Sequence, residues 1–559
     1  MRPTLPAIAL AALATAATAC ATAPEETAMN ELPASGRILV GPTFWPARDD
    51  GVTYRAVVVD DAGVVRALLP QVPPIPPGLD VVRLPGALAV PGLADAHLHL
   101  AWIGRSFETL SLAEARSPEQ VRAQVKTYAA AHPDVALIAG DGWDQNQFPD
   151  RAFPTAEELG GAAGDRPVVL TRVDGHALWL NEAALALVAS MLDEPGAAGR
   201  VVRDVLERPT GVVVDPSDAL REALKVPPTV ADHTRWIRAG LTSCADAGLV
   251  EVHFMAATVP ELEALIGIAE ADGRLPVRVV VYLYAGDEAF AWLDAHPPGP
   301  VTPHPDVSVV GVKVFADGAL GSRGAALKAP YSDATGERGA SIAIDQLRGW
   351  ARRATSRGLQ VAIHAIGDRA TSAALQVIAD AGGPPGLRHR IEHAQIVDPA
   401  DWSRFEALGV VASMQPTHAT SDMRWVAERL GQDRLAGAYA WRTVLERGIP
   451  LAFGSDGPIE TWRPAVGIYA ATTRQDAAGW PERGWRPEER LTVAQAVRAY
   501  SSGASFAAHQ EDRHGSLAVG RPLDLTLFDA DPRREPARWL RATPTATVRD
   551  GVIRRITRP

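Results

Sequence analysis

The chain has 559 residues, of which 47% are hydrophobic, and a net charge of −11. That much apolar material buries a large core, and the acidic balance excludes a broad basic face for nucleic acid. Its 2 cysteines make neither a disulfide-stapled scaffold nor a cysteine-rich zinc module, so any metal falls to the 14 histidines and the acids.

Arg2 leads into an apolar run at 5–19 that ends in small residues before Cys20. This reads as an export signal, too short to span a hydrocarbon core of about 30 Å. The small residues ahead of Cys20 resemble a bacterial lipobox, in which that cysteine becomes the lipidated N-terminus; ordinary cleavage nearby is the alternative. Residues 1–20 are thus expected to be a signal peptide and 21–35 a flexible tether. The expected location is the bacterial periplasm or cell envelope, with membrane contact only through the lipid on Cys20. Cys244 is then left without an intramolecular partner and reads as a buried small hydrophobe.

Residues 36–90 and 516–559 hold short β-branched runs broken by turns. Neither set makes a core alone, which predicts one small β-sandwich domain formed by both chain ends. Between them, 91–515 alternates apolar runs with helical segments, as βα units do. Eight strands are expected, at 93–97, 241–246, 277–282, 309–315, 360–364, 389–393, 410–415 and 451–455, with helices such as 345–355, 369–379 and 399–408. Two further runs, 135–139 and 167–172, break that count and assign about 101–235 to a large insertion after strand 1. The fold class is therefore α/β: a (β/α)8 TIM barrel, whose reactive groups belong at the C-terminal ends of its strands. The 48 Gly and 45 Pro suit its many turns.

Ligand chemistry falls at those ends. His97 and His99 close the first strand two residues apart, so both imidazoles project to one side. Lys313 lies on the fourth strand, His364 on the fifth, His393 on the sixth, and Asp456 just after the eighth. A single such histidine is usually a hydrogen-bonded core residue. Six ligand-type residues at matching strand ends suit Zn²⁺ or a similar divalent ion, one or two in number.

With these residues placed, the chain resembles the amidohydrolase superfamily, and within it the amidohydrolase-3 group of N-substituted formamide deformylase-like enzymes. The resemblance rests on DAHLHL, GDGWD (140–144), DGHALWLN (174–181), GVKVFADGALGSRGAAL (311–327), IHAIGDRA (363–370), RIEHAQ (390–395), QPTHA (415–419), FGSDGP (453–458) and the closing GSLAVGRPLDLTLFDADP. It covers nearly all of 36–559; Leu523 and Gly324 stand where the family often has Ala and Thr. It implies a more buried metal at His97 and His99 with Asp456 near it, and a more exposed one at His364 and His393. Lys313 would bridge the two as a carbamate, an unmodified lysine with one metal being the alternative. It also implies hydrolysis of an amide-like C–N bond by metal-activated water, with Asp456 as general acid and base.

His176 and His418 are candidates to polarise the substrate oxygen. Asp317 and Arg323 are candidates to orient the substrate, or else to pair with each other. Trp143 and Trp179 are candidates for pocket walls, with ordinary packing as the alternative. The insertion is expected above the catalytic face as a lid. The partner is a small amide-like molecule, and the oligomeric state stays open, with a homodimer among the forms. Two rivals stand: a metal-dependent esterase or lactonase on the same centre, and a non-catalytic exported binding protein. Retention of all six candidate ligands argues against the second. No phosphate loop, dinucleotide fingerprint or G-x-S-x-G elbow stands in a supporting context.

Overall fold

The computed structural model describes residues 33 and 35–556, apart from 76, 195–198, 297–300 and 341–343. The expected signal peptide, Cys20 and the tether up to residue 32 lie outside these residues. No helix of the described residues is long and apolar enough to cross a membrane.

Eight strands follow one another around the barrel: Leu93–Leu98, Leu249–Ala257, Arg278–Tyr284, Val307–Phe315, Gln360–Ala365, Arg390–His393, Val411–Met414 and Leu451–Phe453. Each is parallel to the next. The ring closes where Leu98 bridges Gly457 and the Asp456 N–H donates to the His97 carbonyl at 2.7 Å. That closure also brings the two chain segments carrying His97 and Asp456 together.

The second strand corrects the sequence reading. Residues 241–246 are the last turns of a helix, Val230–Asp246, and the strand follows at Leu249–Ala257. Ile237, Gly240, Leu241, Cys244 and Ala245 of that helix are buried, the 3.6-residue period of one helical face. Thr229 and Asp232 close its N-terminus as a capping box. The strand itself was hidden because Glu251 and His253 interrupt its apolar run, yet both are buried.

Helix Leu100–Ser106 packs on Val230–Asp246 in the outer layer, so the insert proper lies between those two helices rather than over 101–235. A Cβ on Gly104 would lie 1.8 Å from the Trp236 carbonyl, which is why this crossing needs glycine. The insert is built on a six-stranded sheet that includes Ile138–Trp143, Val168–Arg172, Ala177–Leu180 and Pro209–Val214, with its own apolar cluster.

Both chain ends meet in one eight-stranded sheet, joined where Leu88–Pro91 pairs antiparallel with Leu525–Phe528. Leu39, Val57 and Val59 share a core with Leu525, Leu527 and Val548, and Val64 bridges back to Pro522, so the sheet folds over on itself as a sandwich. Arg549 clamps it to the barrel, with two nitrogens on Asp306 at 2.6 and 3.0 Å.

Candidate metal centre

The first barrel strand delivers His97 and His99 to the mouth of the barrel, and the loop after the eighth delivers Asp456 between them. His97 Nε2 lies 3.3 Å and His99 Nε2 3.1 Å from Asp456 Oδ1. The outer nitrogens are already committed. His97 Nδ1 donates to Glu392 Oε2 at 2.7 Å, and His99 Nδ1 donates to the Met255 carbonyl at 3.1 Å. Each imidazole therefore turns an Nε2 lone pair toward a carboxylate oxygen. Three acceptors at such distances repel one another unless a cation sits among them.

His393 follows the same rule, its Nδ1 held by Gln415 Oε1 at 2.9 Å. His97, His393 and Asp456 offer ligand atoms all within 4.8 Å of one another. The His364 ring lies 4.6 Å from that of His393, and Lys313 Nζ lies 5.0 Å from the Phe315 ring beside it. Among the described residues, His97 Nε2, Lys313 Nζ, His418 Nε2 and Asp456 Oδ1 are buried without a hydrogen-bond partner. Buried polar atoms are normally satisfied, so four orphans converging on one cavity fit a divalent metal. Burial lowers the pKa of His97, His364 and His393, which keeps them in the neutral, metal-binding form. Burial likewise brings Lys313 down to about 8.

Non-glycine residues in left-handed backbone mark the site: His393 at φ 70° and Asp456 at φ 62°. Each such residue costs on the order of 1–3 kcal/mol. At His393 the kink ends the strand and re-aims a side chain that regular pleating would place elsewhere.

The insert roofs a cavity of about 1230 Å³ over this centre. His176 comes from the insert; its ring lies 5.0 Å from that of His364, and its Nδ1 lies 2.8 Å from Asp215 Oδ1. Burial would lower its pKa, but the hydrogen bond and charge of Asp215, with Asp174, outweigh that and raise it. His418 reaches the centre from the loop after the seventh strand, with Nε2 3.6 Å from Asp456 Oδ2.

Of three expected substrate contacts, two lie off the cavity and one lines it. Trp143 is fully buried in the insert, edge-on to Trp179, with its Nε1 donating to the Leu170 carbonyl. Arg323 is not among the residues lining the cavity and pairs with Asp333 at 3.0 Å, not with Asp317. Asp317 does line the cavity, yet its oxygens accept the backbone N–H groups of Ala326, Ile366 and Gly367 at 2.8–3.0 Å. Burial pushes its carboxyl up to about 7 despite those bonds; it ties loops together.

Sequence reading passed over Glu392, Gln415 and Asp215. Glu392 was detectable, because Arg390 and Glu392 put two charges on one face of a buried strand and such charges must be paired. Asp215 and Gln415 carried no comparable signal. A second acid–histidine group, His514, Asp524 and Asp550, is filled by the Arg278 guanidinium, which contacts both acids.

A (β/α)8 barrel with this donor set at its C-terminal mouth defines a metal-dependent hydrolase. A sequence model of the amidohydrolase family matches residues 80–555. The chain is 33% identical over 466 residues to YtcJ of Bacillus subtilis (strain 168), covering 82% of this chain and 86% of that protein. It is 25% identical over 479 residues to the N-substituted formamide deformylase of Arthrobacter pascens, covering 82% and 86%. An uncharacterised metal-dependent hydrolase of Pyrococcus horikoshii superposes with a TM-score of 0.69 at 27% identity, covering 90% of this chain and 99% of that one. The chain belongs to the amidohydrolase family.

Proposed function

We propose that this hydrolase cleaves the C–N bond of a small amide- or formamide-like molecule. The reading is carried by Asp456 Oδ1, which faces His97 Nε2 at 3.3 Å and His99 Nε2 at 3.1 Å, acceptors that need a cation among them. When bound, a divalent ion such as Zn²⁺ lowers the pKa of water to about 7 and polarises a carbonyl. His97, His99 and Asp456 would hold one ion and His364 and His393 a second. The buried, unpaired Lys313 would bridge them after its neutral amine bonds the carbon of CO₂ and releases a proton.

Asp456 takes the proton of the attacking water as its oxygen bonds the carbonyl carbon. It then returns that proton to the nitrogen as the C–N bond breaks, leaving a carboxylic acid and an amine. His176 and His418 hydrogen-bond the substrate oxygen as its charge grows. Similarity to a formamide deformylase supports the amide-type substrate. In the cell we place the protein in the envelope, exported and held by a lipid on Cys20.

Metal analysis of the purified full-length protein, followed by turnover of formanilide, N-acyl amines and N-acyl amino acids against p-nitrophenyl acetate, tests the reading. Bound divalent metal with amide turnover exceeding ester turnover is expected. Metal-free protein, or cleavage of the ester alone, overturns it.

A further inference from the structure

Asp215 stands at the end of the insert strand Pro209–Val214, in left-handed backbone at φ 46°. Two bonds tie it to His176: Oδ1 accepts from His176 Nδ1 at 2.8 Å, and its own N–H donates to the His176 carbonyl at 2.7 Å. The same carboxylate is lodged in the barrel loop that follows Val307–Phe315. A Cβ on Gly318 would lie 2.1 Å from Asp215 Oδ1, and one on Gly324 would lie 2.2 Å from Oδ2. No side chain fits at either place, so two glycines form a cradle for an acid that belongs to a different module. His176 itself lines the cavity beside His364 and Phe315.

We propose that Asp215 is a positioning residue for His176, and that the insert thereby completes the catalytic site instead of merely covering it. Resting on the hydrolase reading above, the argument is geometric. With Nδ1 donating to the Asp215 carboxylate, His176 offers a substrate oxygen a donor only as the imidazolium that this carboxylate partners, in which Nε2 also carries a proton. The glycine cradle fixes where Asp215 stands, so the barrel loop sets the position of a side chain that the insert supplies. Preorganised donors of this kind act on the transition state more than on the ground state.

The test uses His176→Ala, Asp215→Ala, Asp215→Asn, Gly324→Ala and the His176→Ala/Asp215→Ala double variant of the full-length, metal-loaded protein. Turnover of formanilide and p-nitrophenyl acetate, calorimetric binding of benzoate, and metal content are measured on each. Benzoate stands in for the carboxylate product of either amide or ester cleavage. His176→Ala is expected to lower kcat about 10²–10³-fold, with KM changed less than about threefold. Asp215→Ala approaches that loss, Asp215→Asn loses less because its oxygen still accepts, and Gly324→Ala follows Asp215→Ala. The double variant is no worse than His176→Ala, since Asp215 acts through His176. Benzoate affinity falls in the same order, and metal content stays at the wild-type value.

Multiplying losses in the double variant, a wild-type kcat in Asp215→Ala and Gly324→Ala, or metal lost from the Asp215 variants overturns this inference while the hydrolase reading stands. If Asp215→Ala does not fold, Asp215→Asn and Gly324→Ala carry the same comparison. Wild-type protein that neither turns over a substrate nor binds benzoate overturns both.

Discussion

Glu392→Gln separates the stability of the barrel from its affinity for metal. Glu392 Oε2 accepts a hydrogen bond from His97 Nδ1 at 2.7 Å, while Oε1 accepts one from Arg390 Nε at 2.8 Å. Both side chains of the Arg390–Glu392 pair are 0% exposed. Glutamine puts an amide NH₂ where one oxygen stood, so a donor must face either His97 or Arg390. Breaking a buried pair strands the Arg390 charge, which costs about 3–5 kcal/mol, a large part of an ordinary stability of about 5–15 kcal/mol. Loss of the outer partner of a ligating histidine weakens metal binding by about 10–100-fold, which is about 1.4–2.8 kcal/mol. Urea unfolding of metal-free protein reads the first quantity, and competition for Zn²⁺ against a chromophoric chelator reads the second. Metal-free Glu392→Gln as stable as wild type, or with unaltered zinc affinity, would refute the reasoning.

Asp456→Asn keeps the shape of the carboxylate but cannot carry the proton; kcat should fall about 10²–10⁴-fold with metal still bound, and near-normal turnover would remove Asp456 from the mechanism. His389 Nδ1 accepts the Val361 N–H at 3.0 Å, and burial, aided by His509, lowers its pKa to about 4. Its folded value lies below the ordinary value of about 6.5, so the unfolded chain takes up the proton first. The stability it contributes is whole above about pH 6.5 and drains away as pH falls toward about 4. Urea midpoints at pH 7, 5.5 and 4 should decline less steeply in His389→Gln than in wild type, and parallel declines would contradict this. Arg549→Ala strips the buried Asp306 of both its guanidinium contacts and should cost about 3–5 kcal/mol. Adding Asp306→Ala should recover part of that loss in thermal unfolding; a single-variant loss below about 1 kcal/mol would show the clamp to be idle.

The candidate ligands were legible because chemistry and position coincide: His97, Lys313, His364 and His393 are polar residues on apolar strands, gathered at one end of the barrel. Polarity worked the other way at Glu251 and His253. There it broke the pattern of a strand whose Glu251 pairs with Arg278 and whose His253 Nδ1 accepts from Arg390 inside the barrel. Trp143 shows how local the failures are. Side chains alternate faces along a strand, so Gly142 and Asp144 line the cavity while the residue between them fills the insert's core.

The barrel, the closing of the small sheet by both chain ends and the identity of the candidate ligands follow from the sequence alone, because periodicity and residue type are local properties. The partners of those ligands do not. Glu392 meets His97 across 295 positions, and Asp215 meets His176 across 39 while resting on glycines of another module. Which nitrogen of a histidine faces the cavity depends on what holds the other nitrogen. Only the packed structure determines that, because hydrogen bonds are formed by distance in space and not by separation along the chain.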